Sequence, residues 1–345
     1  MIGNFPPVSI AEWQNKINKD LKGVKTYDDL IWETPEGLQL APFYQANGVT
    51  VSERFAAASA AWQLHEIIVV SDVKKANEIA LQALAGGADS LQFVLNRSLS
   101  KQDFHALLDS VFVEMIHLAF SGQWVWRNAD NVWQLYAELV ESRELSMADM
   151  RCSLEADPLN KEILQLLNKR VSNYSAIKIV NLYGAGNVVE QLSGLVRTTK
   201  KLLTITPELS NRISWSLPIG NSFMVEIAKL RAARILWASS FDGIAPLLHA
   251  FTSPMILTND IHYNKIMSTT QAMSAIIGGA DRLTVTPSDI KTGETSDDAR
   301  RIARNVQHIL RLESHFDKVQ DPAAGSYYVE HLTTELINAA IKITL

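Results

Sequence analysis

Glu155 and Asp157 stand two residues apart at the end of the apolar run 151–156. Two carboxylates at such a spacing can serve as an acid and base pair, or can equally cap a loop. Asp260-Ile261-His262 sets a carboxylate beside an imidazole, the pattern of a base with its orienting group, although a polar strand-end loop has the same composition. Lys178, amid Ile177, Ile179 and Val180, would be a Schiff-base amine if it were desolvated, and its neighbours leave its direction open. Gly184-Ala185-Gly186-Asn187 offers either an anion-binding turn or a tight strand-to-helix turn; it lacks the third glycine and the downstream acid of a dinucleotide fingerprint. Cys152 is the only cysteine, which excludes an intrachain disulfide and a cysteine-based zinc site. His65, His105, His117, His249, His308, His315 and His331 have no metal-ligand spacing. Lys229, Arg231 and Arg234 lie on the helix after Pro218 and read as a solvated or interaction face.

The scaffold for these residues follows from alternation of two kinds of segment. Strand-like runs at 65–70, 91–96, 112–118, 151–156, 177–182, 212–217, 255–258 and 283–286 are each followed by a helical pattern. Those helices are expected at 72–84, 100–108, 131–141, from 158, 188–203, 222–237, 268–277 and 296–314. Gly86-Gly87-Ala88-Asp89 and Gly278-Gly279-Ala280-Asp281 repeat one helix-to-strand junction near opposite ends of the chain. Eight such pairs are the arithmetic of a (β/α)8 TIM barrel, an α/β fold, with a doubly wound sheet as the competing layout. Residues 61–345 are then one barrel domain. Residues 1–60, with Phe5, Trp13, Trp32, Phe43 and Tyr44 and one short helix at 10–21, form an N-terminal arm that cannot build its own core.

A barrel places chemistry at the C-terminal ends of its strands, here Asn96, Glu155, Asp157, Asn181, Asn221, Asn259, Asp260 and His262. Its interior can also be read. Apolar residues must meet the helices, so Gln92, Ser214, Ser216, Thr284 and Thr286 face the axis. Ordinary barrels fill that axis with Val, Ile and Leu. A small, polar axis implies bound water or a threaded ligand.

Apolar residues make up 47% and charged residues 20%, the balance of a folded globular protein. A net charge of −5 gives no reason to expect nucleic-acid binding. No apolar run reaches the roughly 18 residues that span a bilayer. Residues 1–13 carry neither a basic segment nor an apolar one, so the chain is expected to be cytoplasmic.

Three blocks carry a resemblance. They are the arm residues Phe5, Trp13, Leu21-Lys22-Gly23, Thr34-Pro35-Glu36-Gly37 and Pro42-Phe43-Tyr44, the stretch Ile219–Arg234, and Asp321-Pro322-Ala323-Ala324-Gly325-Ser326-Tyr327-Tyr328 with its continuation to Thr333. Together they resemble methylmalonyl-CoA mutase, in particular the small (β) subunit of the bacterial heterodimeric type. The resemblance implies a barrel surrounding the pantetheine of a CoA ester, and adenosylcobalamin chemistry that interconverts methylmalonyl-CoA and succinyl-CoA. Catalytic members carry a Tyr-His pair before a Met-x-Glu; registering Met224-Val225-Glu226 on it puts Ser222 and Phe223 at those positions. Neither can hydrogen-bond a thioester carbonyl as the histidine does. The family's cobalamin domain follows the barrel and ligates cobalt through Asp-x-His-x-x-Gly; Asp260-Ile261-His262 has Lys265 in place of that glycine and lies within the barrel. No cobalamin-type domain is expected in this chain, nor a cofactor or metal bound by it. Its expected partner is the large, catalytic, cobalamin-bearing subunit, with self-association when isolated. The alternative is a stand-alone barrel enzyme using Glu155, Asp157 or His262.

Overall fold

A computed structural model of the chain describes residues 8–34, 37–45, 60–241, 246–293 and 295–344. Eight parallel strands run β1 (Gln63–Val69), β2 (Ser90–Val94), β3 (His117–Ser121), β4 (Arg151–Leu154), β5 (Val180–Tyr183), β6 (Ile213–Ile219), β7 (Leu247–Thr252) and β8 (Arg282–Thr284). Each pairs with its sequence neighbours, and β8 returns to β1 through Arg282 opposite Gln63. The β4–β5 seam is joined just before β5: Lys178 bridges Ser153, donates its N–H to the Cys152 carbonyl at 2.8 Å, and accepts the Leu154 N–H at 2.8 Å. The sheet therefore closes, and the doubly wound layout is excluded.

Helices α1 (Val73–Ala85), α2 (Lys101–Leu107), α3 (Gln123–Ser142), α4 (Lys161–Arg170), α5 (Val188–Ile205), α6 (Phe223–Ser240), α7 (Ile261–Ile277) and α8 (Asp297–His308) each follow the strand of the same number. Most begin at a side-chain cap. Asp72, Ser100, Asn160, Asn187, Asp260 and Ser296 accept N–H groups from the first turns of α1, α2, α4, α5, α7 and α8, satisfying donors that a helix start leaves free. The expected helix at 296–314 is α8 followed by a π-helical turn, Ile309–Glu313. A further helix, α9 (Tyr327–Thr344), packs across α5 and α6.

The two repeated junctions adopt one geometry. Gly87 and Gly279 both have φ of +86°, which L side chains rarely adopt. Asp89 and Asp281 then donate their N–H groups to Leu64 and Leu248, and their carbonyls accept from His117 and Gln63 respectively. A side chain at Gly87 would also meet the His308 ring at 2.6 Å.

Three expectations need correction. The third strand is 117–121 rather than 112–118; Val111, Val113 and Ile116 are apolar because the turn before the strand is buried. The seventh is Leu247–Thr252 rather than 255–258, where Pro254 starts a 3-10 turn. Third, the cations of α6 are not a solvated face. Lys229, Arg231 and Arg234 are buried, Arg231 beneath α9 and the other two against α5, β6 and the α7–β8 junction. Lys229 pairs with Glu226 and donates to the Pro218 carbonyl and Gln191. Arg231 meets Asp321 and Glu330, and Arg234 meets Asp281 at 2.7 Å.

The N-terminal segment divides in two. A hairpin pairs Trp32–Glu33 with Gln39–Leu40, buries Thr34, Leu38 and Leu40, and joins the barrel's apolar core. Tyr44 rests on Tyr328 and His331 of α9, with ring centroids 5.5 and 4.7 Å apart. By contrast, the arm helix Ile10–Asp20, closed at its start by a Ser9–Glu12 capping box, buries no residue. Its Trp13 touches Phe43 at 5.2 Å. Phe5 lies outside the described residues.

Candidate functional site: the barrel axis and its mouth

Strand alternation sends Ser90, Gln92, Ser153, Asn181, Ser214, Ser216, His249, Arg282 and Thr284 inward, where all are buried. Apart from the separate His117–Ser153 and Arg282–Gln63 pairs, they form a network connected through Glu155. His65 uses Nδ1 with Ser90 at 2.7 Å and Nε2 with the Gln92 Oε1 at 3.1 Å. An amide oxygen only accepts, so the His65 Nε2 carries the proton and Nδ1 accepts from the serine hydroxyl. Gln92 Nε2 donates to Ser121 at 2.7 Å, and His117 Nε2 joins Ser153 at 2.8 Å. His249 joins Ser216 at 3.0 Å and Thr284 at 2.9 Å. Ser214 and Ser216 both donate to Asn181 Oδ1 at 3.0 Å. Burial, aided by the charge of Arg282, holds the His65 and His117 rings well below their usual pKa and that of His249 down to about 3, so all three are neutral at pH 7.

Glu155 closes this network at the C-terminal mouth. Its Oε1 accepts from Tyr183 Oη at 2.5 Å, from Asn181 Nδ2 at 3.0 Å and from Gln92 Nε2 at 3.4 Å. Burial raises its pKa, opposed by the bonds from Tyr183 and Asn181. Tyr183 is raised too, by burial and by the adjacent carboxylate. The pair sets a carboxyl and a phenol hydroxyl in hydrogen-bond contact at the mouth of the axis, the residue types of acid–base chemistry.

The fold thus gathers Gln92, Glu155, Asn181, Ser214, Ser216 and Thr284 and leaves the other candidates apart. Thr286, past the end of β8, bonds the Thr252 backbone rather than the axis. Asp157 accepts the Leu159 N–H at 2.8 Å, Asn96 that of Gln123 at 3.2 Å, and Asn221 the Gln271 amide at 3.2 Å. Asn259 and His262 are exposed. Asp260 does not orient His262: its carboxylate accepts the backbone N–H groups of His262 and Tyr263 as the cap of α7. Lys178 donates to the Asn211 carbonyl at 2.8 Å, and burial lowers its pKa. The Cys152 thiol is buried and raised, hence unreactive. Gly184–Asn187 is a tight turn in which Asn187 caps α5. Ser222 and Phe223 are half-buried at the start of α6.

The axial histidines and Arg282 were the residues that sequence reading missed. His117-Leu118-Ala119-Phe120-Ser121 carried the signal, an alternation as clean as that of Ser214-Trp215-Ser216. The false strand at 112–118 put it out of phase.

The expected occupants can be tested against this geometry. The axial cavity is about 10 Å³, the room of a single water-sized species. Pantetheine does not pass through it, because three imidazoles, Gln92 and Arg282 fill the space. A larger cavity of about 330 Å³ lies on the flank, between Trp133 of α3 and Arg170 of α4. The axial histidines are enclosed, and no group of three metal-ligating side chains occurs among the described residues. No helix among the described residues is long and apolar enough to cross a membrane.

A family model described as methylmalonyl-CoA mutase matches residues 196–344. The methylmalonyl-CoA mutase small subunit of Porphyromonas gingivalis is 33% identical over 100% of this chain and 63% of its own length. The small subunit of Streptomyces virginiae is 28% identical over 99% of this chain and 63% of its own length. The mitochondrial methylmalonyl-CoA mutase of Macaca fascicularis is 25% identical over 96% of this chain and 54% of its own length. The chain therefore spans some three-fifths or less of these relatives. Similar over its full length to both small subunits, one of them at 33% identity, the chain belongs to the methylmalonyl-CoA mutase family.

Proposed function

We propose that this chain is a small, non-catalytic subunit of an adenosylcobalamin-dependent methylmalonyl-CoA mutase. In this reading a large partner subunit binds the cofactor and isomerises methylmalonyl-CoA and succinyl-CoA. The observation that carries the proposal is the filled axis: a cavity of about 10 Å³ leaves no path for the pantetheine of a CoA ester. Phe223 supports it, since the position registered on the histidine has no donor for a thioester carbonyl on which charge develops. Likeness to two relatives named as small subunits supports the pairing with a larger one.

The test is co-expression with the large subunit from the same genome, followed by pull-down and a mutase assay with added adenosylcobalamin. The expected result is a stable complex that turns over and an isolated chain that does not. Turnover of methylmalonyl-CoA by the isolated chain would overturn the non-catalytic assignment; failure to bind the large subunit would overturn the subunit assignment.

A second reading is favoured by one feature, the Glu155–Tyr183 pair at the mouth. A stand-alone barrel enzyme would use Glu155 as its acid or base, without Asp157 or His262, which the fold places elsewhere. A Glu155→Gln variant that abolishes turnover of a small substrate would establish it.

A further inference from the structure

We propose that the barrel axis is a binding site for a small monovalent inorganic anion of halide size, held by Arg282. Arg282 is 4% exposed and projects from β8 into the barrel. Its Nε donates to Gln63 Oε1 at 3.2 Å, while its Nη2 is buried and has no acceptor in the protein. Among the described residues no carboxylate forms an ion pair with it. The acids beside it in sequence and space are otherwise engaged: Asp281 takes the Leu248 N–H and Arg234, and Asp89 pairs with Arg311.

The guanidinium therefore has no ion-pair partner in contact, and Asp281 and Asp89 act on it only through space. Burial lowers the Arg282 pKa to about 10, which leaves the guanidinium charged at neutral pH. A buried cation without a counter-charge is costly, and a mobile anion supplies one. The three nearby imidazoles are neutral and add none.

Arg282 lines the cavity of about 10 Å³ together with Gln92, Ser153, Asn181, Ser214 and His249. That volume admits one species near the size of water, which suits a halide and excludes phosphate, carboxylates and nucleotides. Ser153 offers a second donor: when His117 donates through Nε2, the serine hydroxyl is free to turn inward. Glu155 also lines the cavity and opposes an anion. Its Oε1 is taken by three donors at the mouth, and burial raises its pKa, both of which weaken the repulsion. The site stands independently of the subunit assignment.

The test uses the whole chain. Crystals grown in sodium bromide are measured at the bromine edge, and thermal unfolding is followed in sodium chloride against sodium gluconate at equal ionic strength. The expected result is an anomalous peak within hydrogen-bond distance of Arg282 Nη2. The Tm should also rise with chloride relative to gluconate in the wild type, and the rise should vanish in Arg282→Gln. Should Arg282→Gln not fold, the bromide peak decides. Diffraction with no bromide peak at Arg282 means that water alone fills the cavity and overturns the proposal. So does an equal chloride response in a folded Arg282→Gln.

Discussion

Tyr183 donates its hydroxyl to Glu155 Oε1 at 2.5 Å, across the β4–β5 seam where strand pairing is sparsest. Side chains thus reinforce a closure that the backbone ladder completes with few bonds. Burial raises the Glu155 pKa and this contact opposes the rise. A carboxyl whose folded pKa lies above its unfolded value binds more protons when folded, so its stabilising contribution is present at low pH and lost as pH rises through the folded pKa.

Relative to wild type, Glu155→Gln is therefore expected to be more favourable at pH 8 than at pH 4. Urea unfolding at both pH values checks this. An effect of equal size at both would show that Glu155 has an ordinary pKa.

The axial histidines act in the opposite sense. Their pKa values are depressed by burial and by Arg282, so the unfolded chain binds protons that the folded chain refuses. Their contribution is complete above the unfolded value near 6.5 and declines as pH falls toward the folded values, about 3 for His249. Each histidine contributes up to about 1.4 kcal/mol per pH unit within that window, so the three together give about 4 kcal/mol per unit. His249→Gln should reduce the slope between pH 6 and pH 4 by about one-third of that. An unchanged slope in urea titrations would place a charged imidazole in the folded state.

Arg231 joins two distant parts of the chain. It holds both oxygens of Asp321 at 3.0 Å, Glu330 at 2.7 Å and Thr333 at 3.2 Å, tying the Asp-Pro-Ala-Ala-Gly-Ser segment and α9 to α6. Breaking one member of a buried pair leaves the remaining charge without its partner, at a cost of about 3–5 kcal/mol. Arg231→Met should lower stability by that amount. Arg231→Lys should recover only part of it, because an ammonium cannot span both Asp321 oxygens in a planar fork. Chemical denaturation of both variants measures it.

The barrel was legible because its outer wall obeys a simple rule. Leu91, Phe93, Trp215 and Leu217 must meet helices, so their neighbours Gln92, Ser214 and Ser216 must point to the axis. Two places broke the rule for identifiable reasons. At Val111, Val113 and Ile116 a buried turn has the composition of a strand. At Leu247–Thr252, His249 occupies an inward position where local hydropathy gives no hint of strand burial. The burial of Arg231 depended on α9, about 100 residues away, which no local pattern on α6 reveals. That the axis is filled was likewise hidden, since polarity at Ser214 or Gln92 says which way a side chain points and not how much space remains.

The N-terminal segment allows a division of labour to be tested. Leu38 and Leu40 are buried against the barrel core, and Tyr44 packs on α9, whereas the helix Ile10–Asp20 buries nothing and presents Ile10 and Trp13 to solvent. Fully burying a leucine stabilises by about 1.5–3 kcal/mol, so removing residues 1–44 should cost several kcal/mol, while removing residues 1–22 should cost less than about 1. An amphipathic helix that buries none of its residues among the described part of the chain, and touches it through Trp13 and Phe43, is suited to another chain, and Trp13 is the kind of residue that dominates such contacts. Deleting residues 1–22, or changing Trp13→Ala, is therefore expected to leave the Tm of the isolated chain near wild type and to weaken binding of the large subunit at least tenfold in calorimetric titration. Unchanged affinity in both variants would remove the arm helix from the interface. A fall in Tm matching that of the 1–44 deletion would show that the helix stabilises its own barrel instead.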